Sequence, residues 1–196
     1  ILIRGLVLIL LLLVVSPLKA ASPLLTLDSK SNIIELHPYV QVLEDKNGRL
    51  TLNDLLDKSL APQIKWHAPL PAQYTLSAWW GRFEVVNQDP NQLYWYLQLQ
   101  DVERQSLQAY AVALGLETPP KTLTIIHDLR QVSYRIELPV NQRFTIYWRL
   151  KNSNRPVNFD PSLLSPDALV SNAPKNHAFY GLILGGLLIL SFYNLL

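Results

Sequence analysis

The strongest constraint on the fold is a two-residue alternation of apolar and polar side chains through the middle of the chain. In residues 93–100 the odd-numbered positions are leucine or tryptophan, and the even-numbered positions are tyrosine or glutamine. The same alternation occurs in residues 79–85, 132–138 and 144–150. Because successive side chains of a β-strand point to opposite faces, this pattern predicts half-buried strands.

Further strands are predicted from composition and from the turn residues between them. They are residues 39–43, 63–67, 107–113, 123–126 and 157–160. Only residues 51–58 look helical, with Thr51 as the N-cap and Asp54 as the answering carboxylate three residues later. Strands at this spacing, without helices alternating between them, predict an all-β fold, an antiparallel β-sandwich.

Charge and composition exclude several functions. Residues 21–173 carry a net charge of −1, with 14 Lys and Arg against 15 Asp and Glu, so we expect no nucleic-acid binding. The absence of cysteine excludes disulfides, cysteine zinc sites and thiol catalysis. The four histidines lack metal-binding spacing, and we predict no metal, no cofactor and no catalytic residue. A glycosidase with two carboxylates is the enzyme alternative.

Apolar runs occupy both ends of the chain. Residues 6–15 are uniformly apolar, follow Arg4 and precede Pro17 and small residues, which is typical of a secretory signal peptide over residues 1–20. The alternative is an uncleaved anchor, and both alternatives export the sandwich domain predicted at residues 21–173. Residues 178–196 carry no charge and predict a transmembrane helix, the first of several in a truncated chain, with a Gly-x-x-x-Gly motif at Gly181 and Gly185.

The candidate ligand-binding residues lie on the polar side of the alternating strands. Large aromatic side chains on a solvated face are unfavourable unless they are covered or used. Aromatic rings stack on sugars, and arginine binds hydroxyls or carboxylates with two donors. The prediction is therefore a small-ligand platform on one outer sheet face, and the alternatives are contact with a protein partner or coverage by another segment. The predicted ligand-binding residues are Trp80, Arg82, Tyr96, Tyr147 and Arg149.

The chain also resembles a known family in four stretches. Residues 42–54 look like an opening strand, a Glu-Asp turn and a short helix, and residues 78–87 are similar to an aromatic-Trp-x-Arg-Phe strand that ends in Asn. Residues 95–99 match the next strand, and residues 179–195 look like the start of a first membrane helix. The family is the second type of extracellular domain of the bacterial seven-transmembrane receptors with diverse intracellular signalling modules (7TMR-DISM).

This resemblance implies a jelly-roll fold like that of carbohydrate-binding modules. It also implies a receptor in the bacterial inner membrane whose β-domain lies in the periplasm and senses a glycan or another small extracellular ligand. The output, such as a histidine kinase or a diguanylate cyclase, would lie beyond this chain. The alternative function is an interaction module that contacts a second copy or a partner receptor without binding a small molecule.

Overall fold

A computed structural model describes residues 23–99, 107–127, 132–151 and 156–193 of the chain. These residues contain eleven β-strands and two α-helices, which are β1 (Leu25–Leu27), β2 (Ile33–Glu35), β3 (Gln41–Asp45), α1 (Leu52–Leu56), β4 (Ala78–Asn87), β5 (Tyr94–Leu99), β6 (Gln108–Ala113), β7 (Lys121–Thr122), β8 (Thr124–His127), β9 (Val132–Glu137), β10 (Arg143–Leu150), β11 (Ser162–Leu164) and α2 (Pro166–Tyr193). The signal peptide predicted at residues 1–20 lies outside the described residues.

The strands form two sheets. Sheet A has six strands in the order β1-β4-β10-β6-β7, and β3 also pairs with β4. Sheet B has five strands in the order β2-β11-β5-β9-β8. The described strand pairs are antiparallel except for the parallel pair of β1 and β4. The all-β prediction is confirmed, whereas the jelly-roll topology stays a prediction.

One hydrophobic core lies between the two sheets. Sheet A contributes Phe83 and Trp148, and sheet B contributes Trp95, Leu97 and Ile136, each at most 1% exposed. These residues occupy the apolar positions of the alternating segments, so the predicted inner faces are confirmed. Burial of so many large side chains is the main source of stability in a fold of this kind.

A glycine in β4 allows the core to pack closely. A Cβ atom at Gly81 would lie 2.2 Å from a ring carbon of Trp148, which is its register partner on β10. The indole ring therefore lies directly on the backbone of β4, and only glycine leaves room for it.

A buried asparagine fixes the turn between β4 and β5. The Nδ2 atom of Asn87 donates to the carbonyl oxygens of Gln92 (2.7 Å) and Leu138 (2.8 Å), and its Oδ1 atom accepts from the amide of Asp89 (3.0 Å). Because a buried amide side chain is stabilised only when its polar atoms are paired, these bonds join sheet A to the start of sheet B.

The predicted strand positions are mostly confirmed. The four alternating segments lie in β4, β5, β9 and β10, and three further predictions overlap β3, β6 and β8. Residues 63–67 and 157–160 are not strands, because each forms only a single bridge, His67 with Val42 and Val157 with Gln73. Sequence reasoning missed β1, β2, β7 and β11, which have two or three residues each and are too short to show an alternation.

Helix α2 begins at Pro166, two residues after the end of β11 at Leu164, and it runs to Tyr193. Its start lies twelve residues before the predicted transmembrane segment at residues 178–196. Among the described residues, we find no helix with both the length and the apolar character needed to cross a membrane, so the transmembrane prediction is not confirmed.

Candidate functional site

A segment that follows β3 packs on the outer face of sheet A. We call residues 49–67 the cover segment. It contains α1, which begins after Thr51: the Oγ1 atom of Thr51 accepts from the amide of Asp54 at 3.3 Å, and the Asp54 Oδ2 atom accepts from the amide of Thr51 at 2.8 Å. This reciprocal capping box confirms the predicted helix start. The helix buries Leu52 and Leu55 against the sheet.

Two of the predicted ligand-binding residues lie under this segment. Trp80 and Tyr147 point away from the main core, as predicted, but they are only 1% and 5% exposed. They form a second apolar cluster with residues of the cover segment and of sheet A, namely Leu43, Leu50, Leu52, Leu55, Leu56, Ile64, Trp66, Tyr110 and Val112. The expectation of solvated aromatic rings is therefore wrong for Trp80 and Tyr147, because leucines from a distant part of the chain cover them.

The electrostatics of this cluster reflect its burial. Burial raises the pKa of the Tyr147 hydroxyl, and the positive charge of the nearby Arg82 partly opposes that rise. Tyr147 therefore stays neutral at physiological pH and acts as a hydrogen-bonding group beside a cation.

Arg82 lies at the border between the covered and uncovered parts of the face. Its Nε and Nη2 atoms donate to the Oε1 atom of Gln41 at 3.0 Å and 2.8 Å. Its guanidinium carbon lies 4.2 Å from the ring centroid of Trp66, and both side chains are partly exposed. The Trp66 ring in turn lies 6.2 Å from the ring of Tyr147. We call Gln41, Trp66 and Arg82 the arginine patch.

Arg149 connects the sheet to the base of the cover segment. Its Nη2 atom donates to the carbonyl of Gly48 at 2.9 Å and lies 3.8 Å from the Oδ2 atom of Asp45. The buried Asp45 carboxylate also accepts from the amides of Arg49 and Leu50, both at 3.1 Å. Gly48 adopts a φ of 63°, which suits glycine in the tight turn. Arg149 therefore holds the turn in place through its Nη2 atom.

Tyr96 lies in the other sheet. Its register partners are Leu164 on β11 and Arg135 on β9, so it belongs to the outer face of sheet B. On that face the guanidinium carbon of Arg135 lies 3.8 Å from the ring centroid of Tyr94. The five predicted residues therefore do not share one face: four are on sheet A and Tyr96 is on the opposite side of the sandwich.

An open groove lies beside the cover segment. It has a volume of about 520 Å³ and is lined by residues of β3 and of the cover segment. Its walls include Leu43, Leu50, Leu60 and Ile64, and the charged side chains of Lys46 and Lys65 also line it.

Sequence reasoning missed this groove and the role of Trp66. Trp66 lies in a predicted strand, residues 63–67, and the single bridge between His67 and Val42 turns its ring toward sheet A. The sequence does show a single tryptophan between Lys65 and His67, and this was the signal that could have pointed to Trp66. Its partner Arg82, however, is sixteen positions away along the chain. In the part of the chain that the structure describes, no three His, Cys, Asp or Glu side chains converge to hold a metal ion.

Two sheets around one core, with a cover segment and an arginine patch on one outer face, define an all-β domain of two sheets. The family model described as 7TMR-DISM extracellular 2 matches residues 37–165, which is most of the chain and includes the arginine patch and the cover segment. The chain belongs to this family, and the resemblance inferred from sequence is confirmed. The domain is thus a sensory module of a membrane receptor and is not itself catalytic. No curated protein matches the chain.

Proposed function

We propose that this domain is the periplasmic ligand-sensing head of a receptor in the bacterial inner membrane, and that it binds a carbohydrate or a related small molecule at the arginine patch. Family membership supports the sensory role. In this proposal, residues 21–173 form the head, residues 1–20 direct its export, and α2 leads toward the membrane part of the receptor. Ligand binding biases the receptor between two states by the difference in its affinity for them.

The observation that carries the proposal is the geometry of Arg82. Guanidinium has five N–H donors, and Gln41 occupies two of them from a fixed position. Arg82 also forms a side-chain hydrogen bond with the buried Tyr147, and the rest of its guanidinium lies at a partly exposed surface next to the indole ring of Trp66. An oriented arginine beside an aromatic ring suits a ligand that has several hydroxyl groups and an apolar ring face.

The experiment compares two arginine–aromatic pairs on opposite sides of the sandwich. Binding of the full chain to a panel of immobilised glycans is measured for the wild type, for Arg82→Ala and for the matched control Arg135→Ala. We expect Arg82→Ala to weaken binding at least about tenfold, since charge-assisted hydrogen bonds are lost, and Arg135→Ala to leave it unchanged. Equal losses in both variants, or no glycan binding by the wild type, would refute the proposal.

Two exposed side chains favour the second candidate, an interaction module. Tyr74 and Leu76 lie two residues apart before β4 and are 78% and 83% exposed. Large apolar side chains that protrude together are typical of contact surfaces. If the head pairs with a second copy here, the double variant Tyr74→Ser/Leu76→Ser shifts the sedimentation coefficient of the chain from dimer to monomer. If the sedimentation coefficient is that of a monomer in both proteins, this candidate is wrong.

A further inference from the structure

The groove between β3 and the cover segment has apolar walls and a charged border. Leu43 belongs to the second cluster, Leu50 packs against that cluster, and both residues line the groove. The groove therefore opens directly beside the covered face of sheet A. Leu60 and Ile64 complete the apolar lining. With about 520 Å³, it lies within the range of sites for small organic ligands.

The acidic groups of the groove already have hydrogen-bond donors. The Oε1 atom of Glu44 accepts from the hydroxyl of Ser77 at 2.7 Å. The Asp54 carboxylate accepts from both the amide and the hydroxyl of Thr51, and these bonds lower its pKa, so it stays ionised. Each carboxylate therefore has one oxygen bonded within the protein, Glu44 to Ser77 and Asp54 to the N-cap Thr51.

The donors of the groove are not engaged in the same way. Among the described residues, neither Lys46 nor Lys65 has a hydrogen bond or an ion pair, and both ammonium groups are exposed. Beneath the cover segment, the buried Nε1 atom of Trp80 and the buried Nε atom of Arg149 also lack partners within that described part. Trp80 and Arg149 are register partners on β4 and β10. In the described ranges, two ammonium groups without protein partners therefore line the groove, and two further unpaired donors, which do not line it, lie beneath the cover segment.

We propose that this groove is a second ligand site, separate from the arginine patch, which binds a small carboxylate with an apolar body. The ammonium groups of Lys46 and Lys65 pair with the carboxylate, and the leucine and isoleucine walls take the apolar part. A neutral molecule of the same shape would leave both ammonium groups without a counter-charge. A cation would meet the carboxylates of Glu44 and Asp54, each of which already has one oxygen bonded to a protein donor.

The test uses hexanoate and, as a neutral analogue, 1-hexanol, added to the full chain. Binding is followed by ¹³C-methyl NMR at Ile64, which lines the groove, with the exposed Ile183 of α2 as an internal control for non-specific uptake. From the concentration dependence of the Ile64 methyl shifts, we expect hexanoate to bind at least about fivefold more tightly than hexanol. The affinity for hexanoate is expected to fall as salt is added.

Substitutions then test the charge contacts. Lys46→Gln/Lys65→Gln keeps the aliphatic stems and is expected to weaken hexanoate binding about tenfold, while the exposed Lys30→Gln serves as a control and leaves it unchanged. Arg82→Ala is expected to bind hexanoate like the wild type, which separates this site from glycan binding at the arginine patch. Equal affinities for hexanoate and hexanol, an unaffected double variant, or loss of binding in Arg82→Ala would each overturn the proposal.

Discussion

The outer faces of the two sheets carry the same kind of sequence but differ in structure. Both have aromatic and arginine residues at alternate positions, with Arg82 against Trp66 on sheet A and Arg135 against Tyr94 on sheet B. On sheet A the cover segment buries Trp80, whereas Tyr96 on sheet B stays partly exposed. The difference arises because leucines of residues 49–67, which are remote in sequence from both β4 and β5, pack on the outer face of sheet A. They form the second cluster there.

The largest effect expected from this difference concerns the stability of the domain. Trp80→Ala removes a fully buried indole and leaves a cavity between sheet A and the cover segment, which we expect to cost about 3–5 kcal/mol of unfolding free energy. Tyr96→Ala on sheet B, where the ring is partly exposed, should cost about 1 kcal/mol. Urea unfolding of both variants measures the two losses. Similar values for both would show that the cover segment does not bury Trp80 in solution.

A second comparison uses a buried ion pair within sheet A and an exposed ion pair that joins sheet A to sheet B. Asp45→Asn removes the negative charge next to the largely buried Arg149 and weakens the bonds to the Arg49 and Leu50 amides, so we expect a loss of about 2–3 kcal/mol. Glu137→Gln on β9 of sheet B breaks the exposed pair with Lys121 on β7 of sheet A and should cost less than about 1 kcal/mol. The measurement is again the unfolding free energy. A larger loss in Glu137→Gln would contradict the buried role of Asp45.

These two comparisons also show what sequence reasoning could predict. Local features were recovered because they depend on neighbouring residues. The alternation separated Trp79, in the main core, from Trp80, on the outer face. The spacing of Thr51 and Asp54 located the start of α1. In both cases the sequence pattern that allows the prediction lies within a few positions along the chain.

Features that depend on distant pairing were missed. The alternation of β5 shows that Tyr96 points outward, but it does not show that β5 pairs with β9 and β11 rather than with β4. The burial of Trp80 depends on Leu52 and Leu55, which precede it by 25 or more positions. Register and coverage are properties of the assembled sandwich, so a single sequence pattern cannot fix them.

A smaller effect is expected from the two arginine–aromatic pairs. Arg82→Ala loses two charge-assisted bonds to Gln41 and the contact with Trp66, so it should lower the unfolding free energy by about 1–2 kcal/mol. Arg135→Ala loses its contact with Tyr94 and should cost about 0.5–1 kcal/mol. Double-mutant cycles of each arginine with its ring measure the coupling directly. If Arg135 and Tyr94 on sheet B were coupled more strongly than Arg82 and Trp66, the arginine patch would not be the more ordered of the two arginine–aromatic pairs.

The smallest effect concerns pH and compares the titration of a carboxylate in the cover segment with that of a carboxylate on sheet B. Hydrogen bonds from Thr51 lower the pKa of Asp54 in the folded chain, so the capping box contributes stability above the ordinary pKa of aspartate. That contribution is lost as the pH falls through the lowered value, because the protonated carboxyl no longer accepts both bonds. In Thr51→Ala, carboxyl ¹³C NMR should show the pKa of Asp54 rising toward its ordinary value.

The matched carboxylate on sheet B is Glu137, whose pKa is lowered first by its hydrogen bond from Lys121 and then by the charge of that lysine. Lys121→Gln should therefore raise the pKa of Glu137 and leave that of Asp54 unchanged, and Thr51→Ala should do the reverse. Asp54 lies in α1 of the cover segment, whereas Glu137 lies on β9 of sheet B and pairs with Lys121 on β7 of sheet A, so the two substitutions report on separate places in the domain. If Thr51→Ala also moved the titration of Glu137, the cover segment would be coupled to sheet B through the core, and the two outer faces would not respond independently.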